Sequence, residues 1–464
     1  MIRLLLALAL LGGGASDRPD ILWIVVDDMS ANLGCYGEKT IETPNLDRLA
    51  REGTRFTRAY TTAPVCSPSR SALITGCYQT SIGAHQHRSG RGAEKIRLPE
   101  GVETVPALLR KAGYRTSITS WPATKAQGKT DYNFEWDPAI YGGSDGPSFT
   151  QVQLHGGKHR DGRGLSEAVK KALVTLTSPD VVKLPPYYPD DPVIRRDWAN
   201  YLDAVRYTDL QVGEILKTVD AAKTLVFFIT DHGISHARGK QFLYDEGLHI
   251  PMIVRGPGVA ANATRTDLVE HIDLAAATLA AAGVAIPAPM RAKDILAKDY
   301  QARDAVFAAR DRCDETVERL RSVRTSKWKY IRNFFPKRPH LQPNQYKDGK
   351  PTLRRLRELH GSGELKGLPE QLLFAPERAP EELYDLEADP FETKNLADVQ
   401  PEVLKDLRAR LDAWMKETGD RGFESPAMYD SDMAVYLAEK KEPAARKTLE
   451  DNIALMKRWA AEGK

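Results

Sequence analysis

The chain reads as an α/β protein, with a large, mostly parallel sheet covered by helices and a smaller C-terminal α+β domain. Three observations predict this. Ile21–Val26 (ILWIVV) and Leu225–Thr230 (LVFFIT) are continuous apolar runs of strand length, β-branched and aromatic, as central strands buried on both faces require. Helical periodicity lies between them, over Asn45–Glu52, Val105–Ala112 and Trp198–Val219, and alternating strands and helices build parallel sheets. The length of 464 residues exceeds what one core usually serves, so a second domain is expected.

Taken in order, residues 1–16 carry one early positive charge, a short apolar run and small residues near Ala15, the anatomy of a secretory signal peptide. The run is too short to span a bilayer, and no later segment approaches the needed length. A secreted or periplasmic protein without a membrane span is expected. Residues 17–305 are assigned to the large domain and 306–464 to the smaller one. Within the latter, Ser322–Asn333 reads as a strand or hairpin arm, Glu382–Asp389 as a short strand, and Val403–Glu417 and Glu442–Ala461 as helices. The Pro-, Lys- and Arg-rich stretch 336–367 reads as an exposed excursion. A net charge of +3, with basic residues dispersed, argues against a nucleic-acid partner. Four cysteines are too few for a disulfide scaffold.

Both apolar runs end in acids, Asp27-Asp28 and Asp231-His232-Gly233. In such sheets the ligand crevice lies beyond the carboxyl ends of the strands. A lone Asp there usually caps a helix or makes a turn, but two clusters in one topological position suggest a shared site. Hard oxygen donors suit Ca²⁺ or Mg²⁺. Cys66-Ser67-Pro68-Ser69-Arg70 is the sharpest motif. Ser67 is a fitting N-cap, Pro68 suits the first helical position and Gly76 closes about two turns. Cys66 then sits just ahead of a helix N-terminus, with Arg70 nearby, where a thiol is activated and an anion is favoured. A buried structural cysteine is the ordinary alternative.

The motif C-S-P-S-R resembles the signature of the formylglycine-dependent sulfatases, of the alkaline-phosphatase-like superfamily. The resemblance runs through TPNLDRLAREGTRFTRAYTTAPVCSPSRSALITG, AGYRT, DHG, GKQFLYDEGLHIPMIVR, SVRTSKWKYIRN and ELYDLEADPFETKNLA. Its flavour is that of bacterial sulfamidase or heparan N-sulfatase-like members. It implies that Cys66 is oxidised to formylglycine by a maturation enzyme, and that Ca²⁺ is held by Asp27, Asp28, Asp231 and residue 66. His232 stands where the family often has Asn, so its ligand role is open between metal and sulfate. The aldehyde hydrate would attack sulfur and a covalent sulfate ester would then collapse, releasing sulfate from a sulfated oligosaccharide or polysaccharide.

Arg70 and Lys240 are expected to face the sulfuryl oxygens. The family's K-x-H motif is altered here: Lys129 matches its lysine and Asp131 stands in place of the histidine, as a base or an orienting group. His159, in Leu154-His155-Gly156-Gly157-Lys158-His159, is the expected leaving-group acid. His85, His87, His249, Arg310 and Arg312 are candidate sugar-reading residues, although a solvated face is an equal account of the Arg310–Glu315 cluster. A phosphate or phosphonate ester hydrolase of the same superfamily, or a catalytically silent sugar-binding relative, are the other readings.

Overall fold

The computed structural model describes residues 18–122, 128–143 and 145–464. The expected signal peptide lies outside the described residues. No helix among those described is long and apolar enough to cross a membrane.

Fourteen strands are described, in chain order β1 (Asp20–Val26), β2 (Thr54–Tyr60), β3 (Arg115–Ser120), β4 (Ser148–Leu154), β5 (Arg160–Asp161), β6 (Gly164–Leu165), β7 (Thr224–Thr230), β8 (His249–Arg255), β9 (Ala263–Arg265), β10 (Val269–Glu270), β11 (Val306–Arg310), β12 (Leu320–Arg324), β13 (Trp328–Asn333) and β14 (Glu381–Asp385). The large sheet has the order β10-β2-β8-β7-β1-β4-β3, with β9 paired to β2. Strands β7, β1, β4 and β3 run parallel, while β8 is antiparallel to both its neighbours.

The run ILWIVV is apolar throughout because alternate side chains enter different cores. Leu22, Ile24 and Val26 join Trp198, Tyr201 and Leu202 of the helix Pro192–Lys217. Ile21, Trp23 and Val25 join Leu73 and Ile74 of the helix Cys66–Thr75 and Leu274 of the helix Asp273–Ala281. The register sets the edge that matters: Val26 lies opposite Leu154 of β4 and Thr230 of β7. The residues that follow these three therefore emerge side by side, and Asp27 N–H donates to Leu154 O while Asp231 N–H donates to Val26 O.

Beyond the large sheet, β11-β12-β13-β14 form a four-stranded antiparallel sheet. The stretch Ser322–Asn333 spans most of one hairpin of that sheet, β12 and β13, turning at Thr325–Lys327. The helix Pro426–Glu439, which the sequence reading left unassigned, packs with Pro443–Ala461 around Met433 and Leu449.

Two expectations are corrected. The stretch 336–367 is no exposed excursion: it carries the helices Gln345–Asp348 and Pro351–Gly361 and buries Arg338, Lys347, Lys350, Leu353 and Leu356. Its cations are tolerated inside because each finds a carbonyl, Val317 O for Arg338, Lys240 O for Lys347 and Arg160 O for Lys350. The Arg310–Glu315 cluster is likewise interior, not a solvated face, and of its members only Asp314 lines the cavity over Cys66. Arg310 pairs with Glu318 at 3.4 Å. Arg312, 1% exposed, pairs with Glu424 and Asp432 at 2.6 Å each and donates to the carbonyls of His87 and Asp314. The counter-charges of Arg312 lie over a hundred residues away in sequence, where no local pattern links them to it.

Arg312 therefore acts as an internal tie. Arg312→Ala leaves the buried Asp432 and the part-buried Glu424 uncompensated and should cost about 3–5 kcal/mol in stability, read from urea denaturation curves. A loss within the range of an ordinary surface substitution, about 0.5 kcal/mol, would contradict the burial.

Candidate functional site

At the carboxyl edge of β1 the chain turns sharply, with Asp28 in the left-handed region at φ 53°, a conformation that a non-glycine residue holds only when its surroundings impose it. Asp27 and Asp28 thereby face Asp231 and His232 from the end of β7. Asp28 N–H donates to Asp231 Oδ1 at 3.1 Å. All four side chains are buried.

The helix carrying the cysteine motif runs Cys66–Thr75 and closes at Gly76, φ 63°. It begins two residues earlier than expected, with Val65 and not Ser67 at the N-cap position. Cys66 is itself the first helical residue, and Ser67 does not cap: its Oγ accepts from Arg88 N–H at 2.8 Å. Ser69 Oγ donates to Asp231 O at 2.5 Å, fastening the helix to the end of β7.

Arg70 has a different place from the one anticipated. Its guanidinium bonds Asp27, Asp231 (3.2 Å) and Gln153 and lies 3.7 Å from Asp131. It is absent from the lining of the cavity over Cys66, because two buried carboxylates and the Gln153 amide oxygen claim the arms of the fork. Arg70 thus orients the acids.

Around Cys66 Sγ stand His232 Nε2 at 3.2 Å, Lys240 Nζ at 3.2 Å, Lys158 Nζ at 3.5 Å and Asp28 Oδ1 at 3.8 Å. Burial alone would raise the thiol pKa, but Lys129, Lys158, Lys240 and His232 hold it well below the usual cysteine range. Lys240 also pairs with Asp28 at 3.1 Å. Lys129 bridges Asp27 (3.2 Å) and Asp131 (3.3 Å). Against burial, Lys129 and Arg70 keep the Asp131 carboxyl below its ordinary pKa, so it is ionised and orients Lys129.

Lys158 and Tyr346 were missed by sequence reasoning. Lys158 pairs with Asp27 at 2.6 Å, and the Tyr346 hydroxyl donates to Asp28 at 3.1 Å. A signal for Lys158 was present in Gly156-Gly157. A Cβ at Gly156 would meet Asp27 O at 2.3 Å and one at Gly157 would meet Asp28 O at 2.1 Å, so only glycines let this turn approach the acidic edge. Tyr346 comes from the helix Gln345–Asp348, in the stretch read as an excursion, and had no signal.

Of the expected histidines, only His87 reaches the cavity, which measures about 320 Å³ and is lined also by Arg88, Arg91, Lys158, Asp314 and Tyr346. His87 Nδ1 lies 3.0 Å from Asp314, and against burial the neighbouring Cys313 and Asp314 raise its pKa well above that of free histidine. His159 is not brought to this cavity: its Nδ1 faces Ser166 Oγ at 3.1 Å and its ring packs edge-on to Tyr207. Burial and His155 push its pKa down to about 4, leaving it neutral. His85 is buried away from the cavity lining, and neither ring nitrogen has a hydrogen-bond partner among the described residues. His249 bonds Thr57 O at 2.9 Å and lines a separate cavity of about 610 Å³.

The donors fit a divalent cation. Asp28, Cys66 and His232 each offer a ligand atom within 4.8 Å of the others, and Asp231 Oδ1 lies 3.6 Å from His232 Nε2. Burial first, and then the adjacent Asp27 carboxylate, raise the Asp231 pKa to about 6 despite His232 and Arg70. Acids so crowded call for a further positive charge.

The sequence and fold agree with this geometry. Residues 19–284 match the Sulfatase family, and residues 232–342 match the N-sulphoglucosamine sulphohydrolase C-terminal family. The chain is 32% identical to an ulvan-active sulfatase of Formosa agariphila, over 87% of this chain and 76% of the relative. It is 29% identical to human N-sulphoglucosamine sulphohydrolase, over 89% and 93%. Among solved structures, a protein in complex with its substrate D-glucosamine-2-N,6-O-disulfate shares the fold with a TM-score of 0.60 at 18% identity, covering 87% of this chain and 99% of that one. The phosphonate monoester hydrolase of Agrobacterium radiobacter shares it with a TM-score of 0.61 at 16% identity, over 86% and 96%. With the motif helix, the paired acidic strand ends and the match over residues 19–284 in agreement, the chain belongs to the sulfatase family and is a sulfuric ester hydrolase.

Proposed function

We propose that the enzyme removes sulfate from a sulfated carbohydrate in the cavity over Cys66, after conversion of Cys66 to formylglycine. The observation that carries this reading is the gathering of Lys158, Lys240 and His232 around Cys66 Sγ at a helix N-terminus. A tetrahedral anion with its central atom near residue 66 meets positive charge there on several sides. The similarity to an ulvan-active sulfatase and to N-sulphoglucosamine sulphohydrolase supports a sugar as the carrier of the sulfate.

When present, the formylglycine hydrate supplies the nucleophile, and a hard cation such as Ca²⁺, held by Asp27, Asp28, Asp231 and His232, supplies Lewis acidity. The protein's own side chains do the rest. Lys158 and Lys240 neutralise the sulfuryl oxygens, where charge builds as the ester bond breaks. Lys129, positioned by Asp131, adds a third cation from the mouth. Arg70 fixes the Asp27 and Asp231 carboxylates, and Tyr346 and Lys240 fix Asp28. His87, held protonated by Asp314, donates its proton to the departing sugar oxygen. The N-terminal segment and the maturation of Cys66 belong to the same reading, of an enzyme exported to act on external polysaccharide.

Cys66→Ala should release no sulfate from any substrate in an ion-chromatography assay. Chelation should silence the native enzyme, and added Ca²⁺ should restore it. Full turnover by the variant, or indifference to the chelator, would remove this reading.

His87→Gln should lower kcat on a sugar sulfate by about 100-fold, the lower end for lost general-acid catalysis. On an aryl sulfate, whose leaving group needs no proton, the loss should be far smaller. Because the raised pKa leaves His87 protonated at neutral pH, activity on the sugar should fall as pH rises through that value. That basic limb should vanish in the variant. Equal losses on both substrates with an unchanged profile would assign His87 to structure alone.

A further inference from the structure

The cavity over Cys66 opens into a second, wider groove of about 650 Å³. Arg91, Lys129 and Asp131 line both, and Lys95, Tyr132, Phe134 and Trp136 complete the groove's working walls. Its charges are unevenly matched. Lys129 is answered by Asp27 and Asp131, and Glu135 by Arg97 at 3.1 Å. At the neighbouring cavity Arg88 is answered by Glu439 and His87 by Asp314. Arg91 is half-buried between the two spaces, and its guanidinium has no hydrogen bond or ion pair among the described residues. Only its backbone is engaged, the N–H with Asp432 and the carbonyl with Lys95, at 3.3 Å each. Burial and the adjacent Arg88 push its pKa below the usual arginine range, against the weaker pull of Asp131, Tyr436 and Glu439, none of which bonds it.

The same groove has an aromatic wall in which Trp136 is half-buried and Tyr132 and Phe134 are buried behind it. Tyr132 stacks on Phe134 with ring centroids 5.7 Å apart, Trp136 meets Tyr132 edge-on at 5.7 Å, and the Tyr132 hydroxyl bonds that of Tyr141 at 2.8 Å. A flat apolar face beside an unmatched guanidinium suits a ring with hydrogen-bearing carbons and a planar or branched anion on its edge. Arginine offers a two-pronged donor fork to such an anion. A neutral ring in the same place would leave a partly desolvated cation without a partner, and that cost is the source of discrimination.

We infer that this groove binds the sugar next to the sulfated one, and that Arg91 selects an anionic substituent, a carboxylate or a second sulfate, on that neighbouring sugar. The inference rests on the sulfatase reading of the Cys66 cavity and adds a specificity-determining residue to it. Trp136, backed by the buried Tyr132 and Phe134, takes the place of Arg310 and Arg312 as the surface that meets the substrate beyond the reacting group.

The test is calorimetric binding to the full chain carrying Cys66→Ala, which removes turnover. Three disaccharides bear the same sulfate: one has a uronic acid as neighbour, one is its carboxyl-reduced counterpart, and one has a sulfate in place of the carboxylate. With Arg91 present, at least one anionic disaccharide should bind ten times more tightly than the neutral one. In R91Q that ratio should fall close to one, and R91K should recover only part of it, keeping the charge without the fork. The anionic ligand that loses its advantage in R91Q identifies the group that is read. Similar affinities for charged and neutral disaccharides, an advantage that survives R91Q, or no measurable binding of any of the three would overturn the inference. Failure of the sulfatase reading is seen separately, as absence of sulfate release from all three by the enzyme that retains Cys66.

Discussion

The Arg70 guanidinium, buried between Asp27 and Asp231, is the contact on which the rest of the site depends. Parallel register brings the ends of β1 and β7 together and so forces acids into one dry place. Such a cluster is tolerable only with positive charge among it. Arg70 supplies that charge from the motif helix, and in doing so it locks helix and sheet into one relative position. Ser69, bonded to Asp231 O, adds a second fastening one residue away. The first residue of that helix, Cys66, is thereby delivered to the acidic edge with its thiol among the site's lysines. Catalytic geometry and fold stability here share the same bonds.

Charge matching also explains how the site is graded from floor to mouth. At the floor, every cation is committed to a carboxylate: Arg70 to Asp27 and Asp231, Lys158 to Asp27, Lys240 to Asp28. Farther out, Lys129 divides itself between Asp27 and Asp131 and is partly open to solvent. At the rim, Arg91 has no side-chain partner among the described residues. An incoming polyanion thus meets an uncommitted cation first and finds committed, precisely oriented ones deeper in. Binding energy gathered at the rim is remote from sulfur, where it serves orientation.

Much of this was legible in the sequence. The two apolar runs ending in acids gave the sheet, its ligand-bearing edge and four of the buried polar groups. The C-S-P-S-R motif placed the first helical residue at Pro68, two residues after the helix begins at Cys66. What escaped detection depends on contacts between distant segments. Lys158 reaches the thiol because Gly156 and Gly157 let backbone lie on backbone, and a search for histidine chemistry in that stretch looked one residue too far, to His159. Tyr346 sits in a stretch whose lysines, arginines and prolines suggest solvent, yet Lys347 and Lys350 are satisfied by carbonyls of the large domain. Arg312 looked like a surface charge because Glu424 and Asp432 are invisible as partners until the C-terminal helices are packed. Composition reports that charges exist; only the fold reports which are spent.

On the proposed mechanism, residue 66 acts as an oxidised aldehyde, held in place by the Arg70–Asp27–Asp231 contact. Mass analysis of the peptide containing residue 66, taken from active enzyme purified from its native host, tests this most directly. The account predicts an aldehyde at that position, in proportion to specific activity across preparations. An intact cysteine thiol throughout a preparation of full activity would contradict it.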